Sequence, residues 1–301
     1  LPYLSLLGAA PERMVANFHT LFNLAVAALF LPFVKQVMAL IGRLLPDQAV
    51  TDDPGRPKYL DDGTLETPAV ALTCATREAL RMGDEVKKML QAAGAVLRSD
   101  DEALKKETEA ADDIVDRLHE AIKLYLTRLN NEELDAPESA RCVEILTFTT
   151  NLEHIGDIID KNLMELASKK IKNHTAFSSE GMAELETFHG RIVANLDLAM
   201  NVFASGDIEL ARQLLRQKTQ VRELERKFIE SHFERIGARR PDSMISSALH
   251  LDVLRDLKRI NSHLTSAAYS ILERAGELSD SRLREHIKVT SGHSVASPDI
   301  S

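Results

Sequence analysis

Asp112 and Asp116, in Ala111-Asp112-Asp113-Ile114-Val115-Asp116-Arg117-Leu118, and Glu153 and Asp157, in Asn151-Leu152-Glu153-His154-Ile155-Gly156-Asp157-Ile158-Ile159-Asp160, have the types and spacing that could do chemistry. Within each pair the acids stand four residues apart, so on a helix they share a face. Two such helices side by side would bring four carboxylates together. Like charges at that range repel, and burying them without a partner is costly, so either water solvates them or a cation sits between them. Carboxylate oxygens are hard ligands, which favours Mg²⁺, Ca²⁺, Mn²⁺ or iron over a thiolate-type zinc site. His119, three residues beyond Asp116 on the same stripe, is either an added nitrogen ligand or a partly exposed surface histidine. His154, one residue round from Glu153, points elsewhere. Gly156 in mid-helix costs about 1 kcal/mol relative to Ala, so its use is close approach between helices.

No Gly-rich phosphate loop, nucleophile elbow or HExxH stretch accompanies these acids, so an enzyme is not expected. The elements that must hold them are helical. The 301 residues are 44% hydrophobic and 28% charged, a globular composition. Trp is absent, aromatics are few, and long stretches are dense in Ala, Leu, Glu, Lys and Arg, which predicts an all-α protein. Cys74 and Cys142 lack CxxC spacing and read as reduced thiols. The net charge of −9 is unevenly placed: the first 45 residues carry Arg13, Lys35 and Arg43 against Glu12, 3 − 1 = +2, which leaves −11 for the remainder. A body that acidic repels phosphate backbones, which excludes nucleic acid as a partner.

The chain begins Leu1-Pro2-Tyr3 without an initiator Met and reads as a fragment or processed product. Leu1 to Ala10 is short and apolar, in keeping with the tail of an earlier helix. From Phe18 to Leu45 the sequence is mostly apolar, and it predicts a transmembrane helix because ~20 such residues cross ~30 Å of hydrocarbon. His19 and Asn23 would then face other helices. Lys35 and Arg43 after the span place the following residues, 47–301, in the cytoplasm, at a bacterial inner membrane. Asp47 to Glu66 carries turn signals without periodicity and reads as a linker. Residues 1–46 would thus be the end of a membrane domain.

Thr67-Pro68 fits an N-cap and first helical position. Six helical segments follow, over 67–97, 100–130, 136–172, 178–205, 207–237 and 241–277. Their length and short turns predict two tandem three-helix bundles, 67–172 and 178–277, with a disordered tail over 278–301. If the bundles are duplicates, Asp112, Asp116, Glu153 and Asp157 align with Lys218, Arg222, Lys258 and Ser262. The apolar framework matches while the charges reverse, so a cation site would exist in the first bundle alone. Lys218, Arg222 and Lys258 read either as a phosphate-binding face or, with greater weight, as ion pairs to acids such as Glu225 or Asp256.

The acidic helix and Leu152-Glu153-His154-Ile155-Gly156-Asp157 resemble the paired E/DxxxD motifs of PhoU-type phosphate-signalling proteins. That resemblance implies two tandem three-helix bundles with metal bound through those acids. Ala16-Asn17-Phe18-His19-Thr20-Leu21-Phe22-Asn23-Leu24 to Pro32-Phe33 resembles the last membrane helix of the sodium/phosphate cotransporter family, and Pro57 to Asp61 with Thr67 to Leu72 resembles its junction to a PhoU-like domain. By that resemblance the function is sodium-dependent inorganic phosphate transport, with an upstream membrane domain handling sodium and phosphate, the helical part regulating it, and a second copy of the chain, as a homodimer, a further candidate partner. The alternative it leaves is a soluble PhoU-like signalling regulator or metal-binding adaptor; a third reading is a structural bundle with no ligand. The implied ligands are Asp112, Asp116, Glu153 and Asp157 for a divalent or ferric ion.

Overall fold

The computed structural model describes residues 11–33, 53–130 and 133–277, in two units that divide between Asp53 and Pro54. In the first unit, helix α1 (Pro11–Phe30) leads into a 3-10 turn over Leu31–Phe33. Phe18, Leu21, Phe22, Leu24, Leu29 and Phe30 are all exposed along it. The transmembrane helix expected over 18–45 is not met: among the described residues no helix is long and apolar enough to cross a membrane. The physical reason is that α1 starts early, taking in Glu12 and Arg13, carries His19 and Asn23, and loses α geometry at Leu31, the residue before Pro32. Residues 34–45 with Lys35 and Arg43, the apolar stretch 1–10, the start of the linker at 47–52 and the tail 278–301 lie outside the described residues.

The second unit is all helical. Its elements are α2 (Pro68–Ser99), α3 (Glu102–Leu129), α4 (Ala136–Asp157), a π-helical turn (Ile158–Met164), α5 (Glu165–Lys172), α6 (Ser179–Ser205), α7 (Ile208–Gly237), α8 (Pro241–Ile245), α9 (Ser247–Leu264) and α10 (Ala267–Arg274). The starts follow local chemistry. Thr67 and Pro68 open α2, Asp101 accepts from the backbone of Ala103 and Leu104, and Asp135 forms a capping box with Glu138. Breaks after Ile245 and after Leu264 divide the long segment expected over 241–277 into three helices.

Each helix buries an apolar stripe. Met82, Val86, Met89 and Leu90 of α2 meet Val115, Leu118, Ile122 and Tyr125 of α3 and Ile145, Leu152 and Ile155 of α4, forming the core of the first bundle. Phe188, Ile192 and Leu196 of α6, Leu214 and Val221 of α7, and Leu257 and Ile260 of α9 form the second. The bundles join where α2 packs on α6 and α4 on α9. At the first junction a Cβ on Gly94 would stand 2.6 Å from the ring of His189, whose Nε2 lies 2.7 Å from the Leu90 carbonyl. A rigid ring held that way cannot step aside. Gly94→Ala is therefore expected to lower stability by about 1–3 kcal/mol despite alanine's better helix propensity, read as a lower urea midpoint at unchanged slope.

The stretch expected to be a linker is bound to the first bundle over its described part. Glu78, wholly buried on α2, accepts from the backbone N–H of Lys58 and Tyr59 at 2.8 and 2.7 Å. Arg81 donates to Glu78 at 2.6 Å and to the carbonyls of Pro54 and Arg56 at 2.6 and 2.9 Å. Arg77 lies over the Tyr59 ring, the Tyr125 hydroxyl donates to the Asp61 carbonyl, and Arg128 pairs with Asp62. These are tertiary contacts of a segment without helical periodicity.

Candidate functional site

Thr108, Asp112, Val115, Leu118 and Ile122 form the buried stripe of α3, so helical spacing alone forces Asp112 into a position that its neighbours fill with apolar groups. Its side chain is 7% exposed, and its Oδ1 has no hydrogen-bond partner. Gly156 on α4 makes this possible: a Cβ there would stand 2.6 Å from Asp112 Oδ1. Backbone of α4 and carboxylate of α3 thus approach as only glycine permits.

Burial, joined by the charges of Asp116, Asp160 and Asp157 and opposed by Lys161, raises the Asp112 carboxyl to about 7. Asp160 is raised as well, first by burial and then by Glu109. Asp116 is exposed, whereas Asp157 and Asp160 are half-buried. The π-helical turn begins directly after Asp157, and its wider step sets Asp160 and Lys161 on the same seam. Lys161 forms an ion pair with Asp157 Oδ1.

Of the four acids expected to converge, Asp112, Asp116 and Asp157 share one electrostatic neighbourhood on the α3–α4 seam. Glu153 sits a turn away, with Oε2 3.6 Å from His154 Nε2 and its charge acting on His119. His119 is half-buried, its Nε2 3.4 Å from Thr150 Oγ1, and burial pushes its pKa down. Sequence reasoning missed Asp160 and Lys161. The signal was present, since they stand three and four residues beyond Asp157.

Among the described residues no three His, Cys, Asp or Glu side chains are disposed to hold a metal ion together. The donor chemistry, hard carboxylate oxygens with one buried and unpartnered at Asp112, suits a hard cation. Asp157 is engaged in an ion pair with Lys161.

In the second bundle, Lys258 pairs with Glu225 at 2.7 Å, as its setting suggested. Lys218 donates to the Tyr269 hydroxyl at 2.9 Å, Arg222 is exposed, and Ser262 Oγ donates to the Lys258 carbonyl at 3.1 Å. At these four positions the second bundle carries three basic side chains and a hydroxyl where the first carries four acids.

Both bundles match one family pattern, the PhoU domain, over residues 79–165 and 185–271. The chain belongs to the PhoU domain family. Among curated proteins, this PhoU chain is 39% identical over 262 residues to the "putative inorganic phosphate export protein YjbB" of Salmonella typhimurium, covering 87% of the chain and 48% of that protein. YjbB of Escherichia coli K12 is 38% identical over 265 residues, 88% and 49% of the two chains. The chain therefore spans about half the length of these relatives. A Thermotoga maritima protein named phosphate-specific transport system accessory protein PhoU homolog 1 is 25% identical over 208 residues, covering 67% of this chain and 85% of its own. In fold, the chain is similar to the crystal structure of PhoU from Pseudomonas aeruginosa, with TM-score 0.62 and 20% identity over 69% of this chain and 98% of that one. The Streptococcus pneumoniae phosphate transport system regulatory protein PhoU gives TM-score 0.62 and 16% identity, over 71% and 100%. The all-α tandem arrangement expected from periodicity agrees with these folds.

Proposed function

We propose that this chain is a PhoU-type regulator of inorganic phosphate movement, acting on a phosphate exporter rather than on sodium-coupled uptake. The observation that carries the reading is the pair of PhoU domain matches within a sequence 39% identical to a protein named for phosphate export. The relatives' names speak of phosphate export or of an accessory role in phosphate transport, and none speaks of sodium-coupled uptake. Regulation of this kind requires contacts that differ between two states of the regulated transporter. The two-bundle unit supplies a surface for such contacts.

Asp112, Asp116 and Asp157, with Asp160 beside them, are the residues that would hold a hard divalent or ferric ion. Such an ion would neutralise the seam and fix α3 against α4. Phosphate efflux from cells is the direct test. Deleting residues 68–277 from the gene is expected to uncouple efflux from internal phosphate level, and efflux that still tracks that level rejects the reading. For the cation, the purified whole chain is expected to bind Mn²⁺ at about one equivalent with the Asp112→Ala/Asp157→Ala variant showing none, by equilibrium dialysis.

A further inference from the structure

A cleft of about 640 Å³ opens where the two bundles meet, between α4 of the first and α10 of the second. That volume falls within the roughly 300–1,000 Å³ of small-molecule sites, which are mostly apolar with a few convergent polar groups. Phe148 and Phe203, buried and stacked with ring centroids 3.9 Å apart, form its floor, and the exposed Val143 and half-exposed Arg274 stand at its rim. Ser139, Thr147 and Ser270 add hydroxyls to the walls. One lining group is out of place in so apolar a setting. Glu144 is 6% exposed; Arg141 and Arg274 hold its Oε2 at 3.1 and 3.0 Å, while its buried Oε1 has no hydrogen-bond partner. A buried carboxylate oxygen without a donor is costly, so it calls for one that the chain itself does not supply.

We infer that this cleft is a binding site for an adenine nucleotide, with the exocyclic amine of the base donating to Glu144 Oε1 and the phosphate meeting Arg274. Three observations select that chemistry. The aromatic floor and apolar walls suit a flat ring, whose accepting nitrogens match the wall hydroxyls. Arg141 is fixed on Oε2 and also donates to the Phe203 carbonyl and to Thr76 Oγ1, so one carboxylate oxygen is left for a ligand. Adenine offers a single amine at its edge, whereas guanine presents two neighbouring N–H groups that call for both oxygens. Charge is the third. Arg141 and Arg274 share one acid, and with Glu273 at the rim and Lys218, which donates to the Tyr269 hydroxyl of the wall, the bases still outnumber the acids. Such a balance disfavours an ammonium ligand and favours an anionic one. Arg274 is 48% exposed, so it can turn from Glu144 to a phosphate and uncover Oε1 for the amine. A nucleotide seated here touches α4 and α10 at once and ties the two bundles together. The inference stands apart from the reading of the acidic seam as a cation site.

The test is calorimetric titration of the whole chain with AMP, GMP and adenosine, in wild type, Ala267→Phe and Arg274→Met. Ala267→Phe fills the cleft from α10 and leaves Glu144 in place; Ala140→Phe, at an exposed position on the α4 wall, does the same should the first variant fail to fold. AMP is expected to bind wild type at about one equivalent and about tenfold more tightly than GMP or adenosine, and a filled cleft is expected to bind none. Arg274→Met is expected to bring AMP down to the affinity of adenosine. No binding of AMP by wild type overturns the inference, as does binding that survives a filled cleft. GMP bound as tightly as AMP overturns it through the base. Adenosine bound as tightly as AMP, or AMP unaffected by Arg274→Met, overturns it through the phosphate.

Discussion

Glu78→Ala is expected to destabilise the second unit by about 3 kcal/mol, one of the two largest effects of single substitutions here. Glu78 is wholly buried and serves four donors: two backbone N–H groups from Lys58 and Tyr59, and two nitrogens of Arg81. Removing the carboxylate leaves the two amides and the mostly buried Arg81 guanidinium without their acceptor. Stranding buried partners costs far more than the net contribution of the hydrogen bonds lost. The loss is structural as well as energetic, because Arg81 carries the carbonyls of Pro54 and Arg56. The expected signature is therefore double: a lower urea midpoint, and earlier protease cleavage between Pro54 and Thr67. In the Glu78→Ala/Arg81→Ala double variant the cost should fall below the sum of the two singles, since the stranded cation is removed together with its partner. Cleavage and midpoint both unchanged would mean that the clasp contributes nothing.

Glu78 also marks where sequence reading stops. Most helices of the second unit were legible because they carry an apolar stripe at helical spacing with Pro, Gly, Asn or a capping Asp near their ends, whereas the divisions of 241–277 at Ser246 and Thr265 carry no such local signal. Glu78 sits in such a stripe as a lone charge. Its partners lie about 20 residues upstream in a stretch rich in Asp, Pro and Gly, and no local pattern announces the contact. The stretch 47–66 therefore reads, in sequence, as a linker without tertiary contacts. The candidate site shows the same boundary. The i, i+4 rule paired Glu153 with Asp157, but the π-helical turn after Asp157 brings in Asp160 and Lys161 while Glu153 stays beside His119 and His154. Ile158, Ile159, Leu163 and Met164 of that turn are buried, and the i+3 and i+4 spacing of Asp160 and Lys161 from Asp157 was readable although the turn itself was not. Charge reversal in the second bundle, by contrast, was readable position by position, and Lys258 met Glu225 as its neighbourhood suggested.

His250 supplies the second large effect, and it depends on pH. It is 1% exposed on α9 and stacked on His232 of α7 with ring centroids 4.6 Å apart. Around it stand Glu184 of α6, with Oε2 3.3 Å from His250 Nε2, and Arg235 of α7, which itself pairs with Glu184 at 2.7 Å. Burial lowers the His250 pKa to about 4; His232 and Arg235 push the same way, and Glu184 opposes them. In the unfolded chain an imidazole titrates near 6.5. Between about 6.5 and about 4 the unfolded chain thus binds a proton that the folded chain refuses. Stability is fully present above the upper value and is lost as pH falls towards the lower one, by on the order of 3 kcal/mol. His250→Phe should keep the aromatic stack, leave no ring nitrogen to protonate and shed this part of the acid sensitivity. Urea midpoints taken at pH 7.5 and pH 4.5 separate the two cases. The wild type should lose far more between the two conditions than the variant, whereas parallel losses would place the acid sensitivity outside His250.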